Sequence, residues 1–377
     1  MENKIKLIFI CGSLETGRDG VGDYVRKLAS ELTLQGHQVG AIAINDRHIS
    51  APEKHAASSS NNYEVYRIPA ALPEKERVEL AMNFIKTYNP DWVSLQYVVF
   101  TYHDKGLPYS LARHLSSHNS QFKWHIMFHE LAVGMYKGAS LRHKIWGFVQ
   151  RGIIRQMVRK LQPKAISTQN TVYQTILDQD GIKSFHLPLF GNISHHAQPA
   201  EQRKRLNSDS VVRVVIFGTI HPDSFIASFA EEVAAYGSAH DLKFQLVLIG
   251  RSGSHQEEFV RVWTSYGLAV EILGEQSEQT ISETLSTGSF GISTTTFEMM
   301  EKSGTVAAML EHAMPVLCIG HSWERRGINH TQNPKGTFKY QKGELHHFLD
   351  GLDTVQFEPR GLSQITKEFA EQLHKHA

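Results

Sequence analysis

Short apolar runs alternate with amphipathic stretches along most of this chain, and that alternation limits the fold more than any other feature. In the first half the runs fall at residues 7–11, 39–44, 65–68, 92–95, 124–128, 165–168 and 185–189. Between most of them lie stretches of helical period, for example 73–88 and 141–161. Short, continuously apolar runs suit strands buried on both faces. The helical stretches supply the crossovers that parallel strands need. A second series follows, with strands expected at 211–217, 244–249, 270–273, 290–293 and 316–319. Its helices are expected at 225–236, 256–266, 279–285 and 306–312, and the tail at 362–374 is helical again. The expectation is an α/β chain with two doubly wound, Rossmann-like domains facing across a cleft.

The break between the two series is polar and aperiodic. Residues 196–210 read as a linker. Residues 1–195 then form the first domain, 211–353 the second, and 354–377 a terminal helix expected to pack back on the first. A length of 377 residues is ample for two such cores. The only two cysteines, Cys11 and Cys318, lie far apart. Neither a disulfide framework nor a zinc spacing is present, so a cytoplasmic setting is expected. The apolar run at 7–10 is too short for a signal sequence, and no stretch has transmembrane length. The 22 histidines are scattered without HExxH, and no metal site is expected. Charge is divided unevenly: 23 Lys and Arg against 16 Asp and Glu in residues 1–195, but 16 against 22 in residues 196–377. The first half should attract anionic partners and the second should not.

Two segments carry the chemistry. The first is Gly17-Arg18-Asp19-Gly20-Val21-Gly22-Asp23-Tyr24, a glycine-rich turn behind the first strand and ahead of a helix. Strand, glycine turn and helix together aim backbone N–H groups and a positive helix end at an anion. Asp19, Gly20, Val21 and Gly22 are therefore candidate ligand contacts, although such a turn also serves as a plain βα connection. It is not GxGxxG, and no P-loop sequence occurs in the chain. The second segment is Lys302-Ser303-Gly304-Thr305, which opens the helix expected to end near Glu311. Ser303 and Thr305 are good N-cap types, and Lys302 with the Ser303, Gly304 and Thr305 amides would seat a diphosphate. Glu311 stands where the helix macrodipole disfavours an acid, which points to a ligand, for instance the paired hydroxyls of a ribose. A lone Glu is otherwise a solvated surface residue. His129 follows the strand at 124–128, where it is expected to point into the cleft.

These segments bear a resemblance. Asp19-Gly20-Val21-Gly22-Asp23-Tyr24, then Leu28-Ala29 and Gly36-His37-Gln38-Val39, resemble the opening of the family 4 retaining glycosyltransferases of the GT-B fold. Glu311-His312-Ala313-Met314-Pro315-Val316 resembles the EAMxxGxPV signature of that family, with a residue or two missing. The matches occur in order and span both halves of the chain. The resemblance implies a GT-B fold and sugar transfer, with retention, from a nucleoside diphosphate donor, taken here as UDP. It implies a donor domain in the second half and an acceptor domain in the basic first half. It places a ribose contact at Glu311 and a histidine beside the donor sugar at His129. The family's first acid, eight positions earlier, is replaced by Ser303, with Glu298 and Glu301 close by. The family's Arg and Lys after the first strand of the second domain are absent from the segment containing Gly218 and Thr219. Lys302 and Arg251 are expected to supply that charge. No resident cofactor is expected.

Two other readings stay open. One is a non-catalytic subunit that binds a nucleotide sugar or glycan, suggested by Ser303. The other is a nucleotide-sugar epimerase on the same fold. The acceptor is a saccharide, a lipid-linked molecule or another small molecule. The stretch 141–164 carries Arg142, Lys144, Arg151, Arg155, Arg159, Lys160 and Lys164 and lies in a region without acids between Glu130 and Asp178. Helical spacing puts Lys144, Arg151, Arg155 and Arg159 on one face and Ile145, Trp146, Val149, Ile153, Met157 and Leu161 on the other. Such a helix either rests on the core with a solvated basic side or lies on an anionic membrane, which would put the protein at the inner face of the membrane. Nucleic acid is not an expected partner, because no reading motif accompanies the basic stripe.

Overall fold

A computed structural model describes residues 4–57, 62–117, 122–193, 211–322 and 334–376. The expected linker at 196–210 lies outside these residues. The chain forms two compact units. One contains the chain through Pro188 together with the C-terminal segment from Leu362; the other contains most of Leu189 to Gly361.

The first unit is built on an eight-stranded sheet: β1 (Lys6–Cys11), β2 (Gln38–Asp46), β3 (Glu53–His55), β4 (Glu64–Pro69), β5 (Trp92–Tyr97), β6 (Lys123–Phe128), β7 (Ala165–Thr168) and β8 (Phe185–His186). The order is β3-β4-β2-β1-β5-β6-β7-β8, and every pair is parallel except β3 with β4. The chain winds outward from β1 in one direction, then returns to β5 on its other side. The point where the order reverses therefore lies between β1 and β5, the place where such sheets bind ligands at their carboxyl ends. The crossing helices are α1 (Gly20–Leu34), α2 (Glu74–Tyr88), α3 (Leu111–Ser116), α4 (Leu141–Leu161) and α5 (Thr171–Gln179). Phe9, Ile10, Leu95 and Ile126 are fully buried between the helical layers, as strands covered on both faces require.

The second unit has a six-stranded, all-parallel sheet: β9 (Val212–Phe217), β10 (Phe244–Ile249), β11 (Ala269–Gly274), β12 (Phe290–Ser293), β13 (Val316–Cys318) and β14 (Thr337–Lys339). Its order, β11-β10-β9-β12-β13-β14, reverses between β9 and β12. The helices are α6 (Ile226–His240), α7 (Gln256–Ser265), α8 (Glu278–Thr287), α9 (Gly304–Glu311) and α10 (Leu345–Gly351), with a 3-10 turn at Phe297–Lys302 just ahead of α9. Trp263, Phe229 and Phe290 fill one side of this sheet, and Met309, Val306 and Ile249 the other.

The last helix, α11 (Leu362–Lys375), belongs to the first unit. Its Phe369 stacks on Phe9 of β1 and meets the ring of His125 on β6 edge-on. Gln35, at the end of α1, donates from its side chain to the Ser363 carbonyl.

Helix α4 has the expected bounds but not the expected facing. Ile153, Met157 and Leu161 are buried, whereas Ile145 is turned to solvent. The local cause is a close crossing. A Cβ at Gly147 would collide with the Val133 carbonyl oxygen, so glycine lets the preceding loop lie directly on the helix. Gln150 is buried with it, accepting from the Val133 N–H and donating to the Gly106 carbonyl. These bonds fix the rotation of the first turns and override the apolar pattern. The basic side is also not simply solvated. Arg151 and Arg155 both bond Asp180, the former through two nitrogens.

Candidate functional site

In the first unit the glycine-rich turn is shorter than the sequence suggests. Helix α1 begins at Gly20, so Gly20, Val21 and Gly22 form its first turn rather than a loop. Asp19 is the N-cap, and its Oδ1 accepts from the Gly22 N–H at 2.7 Å. Gly22 is needed for packing: a Cβ there would strike the Ser13 carbonyl oxygen. Its amide is bonded to Asp19. Asp23 adds a second carboxylate in the same turn, accepting from the Gly17 N–H. A capping carboxylate already supplies the negative charge that a helix N-terminus favours.

Beside this turn lies an open cavity of about 280 Å³ lined by Gly12, Ser13, Arg18, Asp19, Asn45, Arg47, His48, Phe100 and Thr101. Gly12 follows β1, Arg47 follows β2 and Phe100 lies just beyond β5, so the cavity occupies the reversal point of the sheet. Arg47 also pairs with Asp104, and both are exposed. Sequence patterning did not single out Asn45, Arg47, His48 or Thr101. Their signal is positional, since each lies at or just beyond the carboxyl end of β2 or β5.

His129 follows β6 and is only 5 % exposed. Its Nε2 shares a hydrogen bond with Gln96 Oε1 at 2.8 Å, and its Nδ1 shares one with Gln169 Oε1 at 3.1 Å. The Tyr24 ring meets it edge-on, with ring centres 5.0 Å apart. Both ring nitrogens are engaged within the unit. Gln96 also donates to Ser94 Oγ, which bonds His125 Nδ1, while His125 Nε2 bonds Ser167 Oγ. Burial first, and then the neighbouring His129, push His125 down to about 3, so its ring is neutral at ordinary pH. The same burial pushes the Tyr24 hydroxyl well above its usual range, against a smaller opposing effect of Gln169.

The second unit presents a different helix end. Ser303 is the N-cap of α9, and its Oγ accepts from the Val306 N–H and bonds Thr305 Oγ1. The Gly304 and Thr305 amides lead the helix and have no acceptor among the described residues. No acid lies in the first turn, and Lys302 closes the 3-10 turn directly before the cap. That 3-10 turn also carries Glu298 and the buried Glu301. A Cβ built at Gly304 meets nothing within 4 Å.

Gly218 comes to this helix end from β9. Its φ is +85°, and a Cβ there would press on Thr305 Cγ2. Gly218, Thr219, Ser303, Gly304 and Thr305 are thus brought together at the reversal point between β9 and β12. The loop after β9 is tied to the loop after β12 by the His221 N–H, which donates to Thr294 Oγ1 at 2.8 Å. Arg251 follows β10 in an exposed loop and pairs with Glu275 at 2.9 Å, which raises its already high pKa. Glu311 ends α9, and its Oε1 accepts from the Gly191 N–H at 2.6 Å. Gly191 lies so close to Ala308 that a Cβ would clash. An acid at this unfavourable end thus has a structural partner, which the sequence alone did not reveal.

No family model matches the chain, and no curated protein matches it either. Solved structures do. The apo form of the lipopolysaccharide outer core galactosyltransferase WaaB matches with a TM-score of 0.57 at 13% identity, over 99% of this chain and 100% of that one. A putative UDP-N-acetylglucosamine 2-epimerase from Listeria monocytogenes gives 0.56 at 11% identity, over 99% and 97%. Anabaena Alr3699/HepE, in complex with UDP-glucose, gives 0.53 at 14% identity, over 98% and 100%. The chain has the GT-B fold.

Proposed function

We propose that the protein is a glycosyltransferase that moves a sugar from a nucleoside diphosphate donor, UDP, to an acceptor hydroxyl, with retention at the sugar carbon. The observation that carries this reading is the neutral-capped N-terminus of α9. Two leading amides, the Ser303 and Thr305 hydroxyls and the close-approaching Gly218 meet at one reversal point of the second unit, and Lys302 directly precedes the cap. Such an array suits a diphosphate, and its value rises as the leaving group gains charge. The bond between the sugar and the diphosphate breaks, UDP leaves with the charge that Lys302 and the helix end stabilise, and the acceptor oxygen takes its place as its hydroxyl proton passes to the departing diphosphate. The reading requires no resident metal or cofactor, since these groups supply the positive potential.

In this reading Glu311 contacts the ribose with its carboxylate while Oε1 stays anchored by Gly191. Arg251 lies at the margin, its charge shared with Glu275 in an exposed pair worth little to stability. Asp19 lines the first-unit cavity, where the acceptor binds, and Gly20, Val21 and Gly22 form the helix turn that it caps. His129 is a positioning residue that, with Gln96 and Gln169, holds the carboxyl end of β6 and Tyr24 in place. The buried free thiols of Cys11 and Cys318 support a reducing, cytoplasmic setting.

Thermal shift with UDP-glucose, UDP-galactose and UDP-N-acetylglucosamine tests the reading, because a ligand bound only by the native state raises its apparent stability. At least one should raise the melting temperature, and UDP should compete. No shift with any of them, or with UDP, would sink the proposal. The likeness to an epimerase keeps one alternative, which is distinguished by turnover: an epimerase converts the donor without an acceptor, whereas a transferase releases free UDP only slowly unless one is present.

A further inference from the structure

The exposed surface of α4 is not the one its charges suggest. Leu141, Ile145 and Phe148 are 72%, 58% and 70% exposed. They stand at i, i+4 and i+7, within one narrow stripe over the first two turns. Tyr136, in the loop leading into the helix, is half-exposed as well. Single exposed apolar residues are ordinary on a protein surface, but a continuous ridge of three large ones marks a contact.

The surroundings of the ridge fix the chemistry of its partner. No acidic residue occurs from Leu131 to Leu177, whereas Arg142 and Lys144 flank the ridge and Arg159 extends it. These three cations form no ion pair among the described residues. Arg151 and Arg155, by contrast, are held by Asp180. Trp146 does not join the ridge: its Nε1 donates to the Lys105 carbonyl at 3.0 Å and its ring packs against Phe100 and His143. It roots the helix, and Gly147 and Gln150 lock the rotation that turns the ridge outward. Among the described residues no helix is long and apolar enough to cross a membrane.

We propose that the first two turns of α4 dock on an anionic phospholipid surface. Leu141, Ile145 and Phe148 enter the boundary between headgroups and acyl chains, and Arg142 and Lys144 lie among the phosphates. An apolar stripe bordered by unneutralised cations matches a bilayer in both hydrophobicity and sign of charge. A protein partner for the same ridge would have to bring its own acidic rim. The docking surface is separate from the donor chemistry proposed above, and its test needs no nucleotide sugar.

The test is co-flotation of the purified full chain with vesicles of phosphatidylcholine alone and of phosphatidylcholine mixed with phosphatidylglycerol, at low and high salt. The wild type floats with the mixed vesicles at low salt, binds them less at high salt and leaves the neutral ones bare. A Leu141→Ser/Ile145→Ser/Phe148→Ser variant, checked by circular dichroism for unchanged folding, partitions at least about 100-fold more weakly, the loss expected for three large side chains leaving an apolar phase. Leu34→Ser serves as a control, because Leu34 is exposed on a different helix; it floats as the wild type does. Wild-type protein that stays in the lipid-free fraction at low salt overturns the proposal. So does a triple variant that floats unchanged, or one whose only difference is a smaller oligomer in sedimentation, which would assign the ridge to a second copy of the chain.

Discussion

Two helices begin at the reversal points of the two sheets, one after β1 and the other after β12, yet their first turns are chemically opposed. Helix α1 leaves the reversal point of the first sheet with Asp19 as its cap and Asp23 in its first turn. Helix α9 leaves the reversal point of the second with Ser303 as its cap, no acid in its first turn and Lys302 directly before it. Both helices carry two leading amides with no partner in the helix. In α1 a carboxylate already sits on the positive end, so a phosphate there meets like charge. In α9 the cap is neutral and the positive end remains available to a ligand. A shared backbone plan therefore does not make two equivalent anion sites. We propose that the capping residue decides which end is structural and which one binds.

The glycines at the two helix ends divide the same way. Gly22→Ala sets a methyl group against the Ser13 carbonyl and should destabilise the first unit by about 3 kcal/mol, the upper end for overpacking. Urea unfolding measures it. A variant as stable as the wild type would show that Gly22 is there for a ligand after all.

Acid should expose the buried polar network of the first unit. His125 stays neutral in the folded state down to about pH 3, because burial opposes its charging, while the unfolded chain takes up that proton near its ordinary value. Its contribution is complete above about pH 6.5 and is lost at about 1.4 kcal/mol per pH unit as the pH falls from there toward about 3. His125→Asn, which can still bond the flanking serines, should show a shallower loss in urea midpoints between about pH 6 and about pH 4. Equal slopes for the two proteins would contradict a neutral buried ring.

Asp19→Ala removes a cap and should lower stability by about 1 kcal/mol while leaving UDP affinity within about twofold. A large loss of UDP affinity would make Asp19 a donor contact rather than a cap. Gly304→Ala has room for its methyl group and should change the melting temperature by no more than about 2 °C. It should nonetheless weaken UDP binding, because the proposed site puts the diphosphate in that space. Unchanged affinity would move the phosphates elsewhere.

Much of the frame can be read directly from the chain. The strands at Ala165–Thr168, Phe244–Ile249 and Phe290–Ser293 coincide with apolar runs, since a strand covered on both faces has no polar side to blur its ends. The runs give no sign of β3 and β14. These are three-residue edge strands, and Glu53-Lys54-His55 is polar throughout. The short helices α3, α5 and α10 offer too few turns for a period to show. Helix α4 illustrates a subtler limit. Its span follows from composition, but its facing depends on Gly147 beneath Val133 and on Gln150 bonding two loop groups, neither of which hydrophobic periodicity encodes. The site divides similarly. That Lys302–Thr305 opens a helix is legible from capping chemistry. The engagement of His129 by Gln96 and Gln169, and of Glu311 by Gly191, depends on residues 33, 40 and 120 positions away.

We propose that the end of α9, and not that of α1, holds the diphosphate. Isothermal titration of UDP into the wild type and into Lys302→Ala tests it most directly. Measurable binding to the wild type and a loss of about 10- to 100-fold in the variant are expected, the worth of a charge-assisted contact to a phosphate. Equal affinity for the two proteins, with both fully folded, would contradict it.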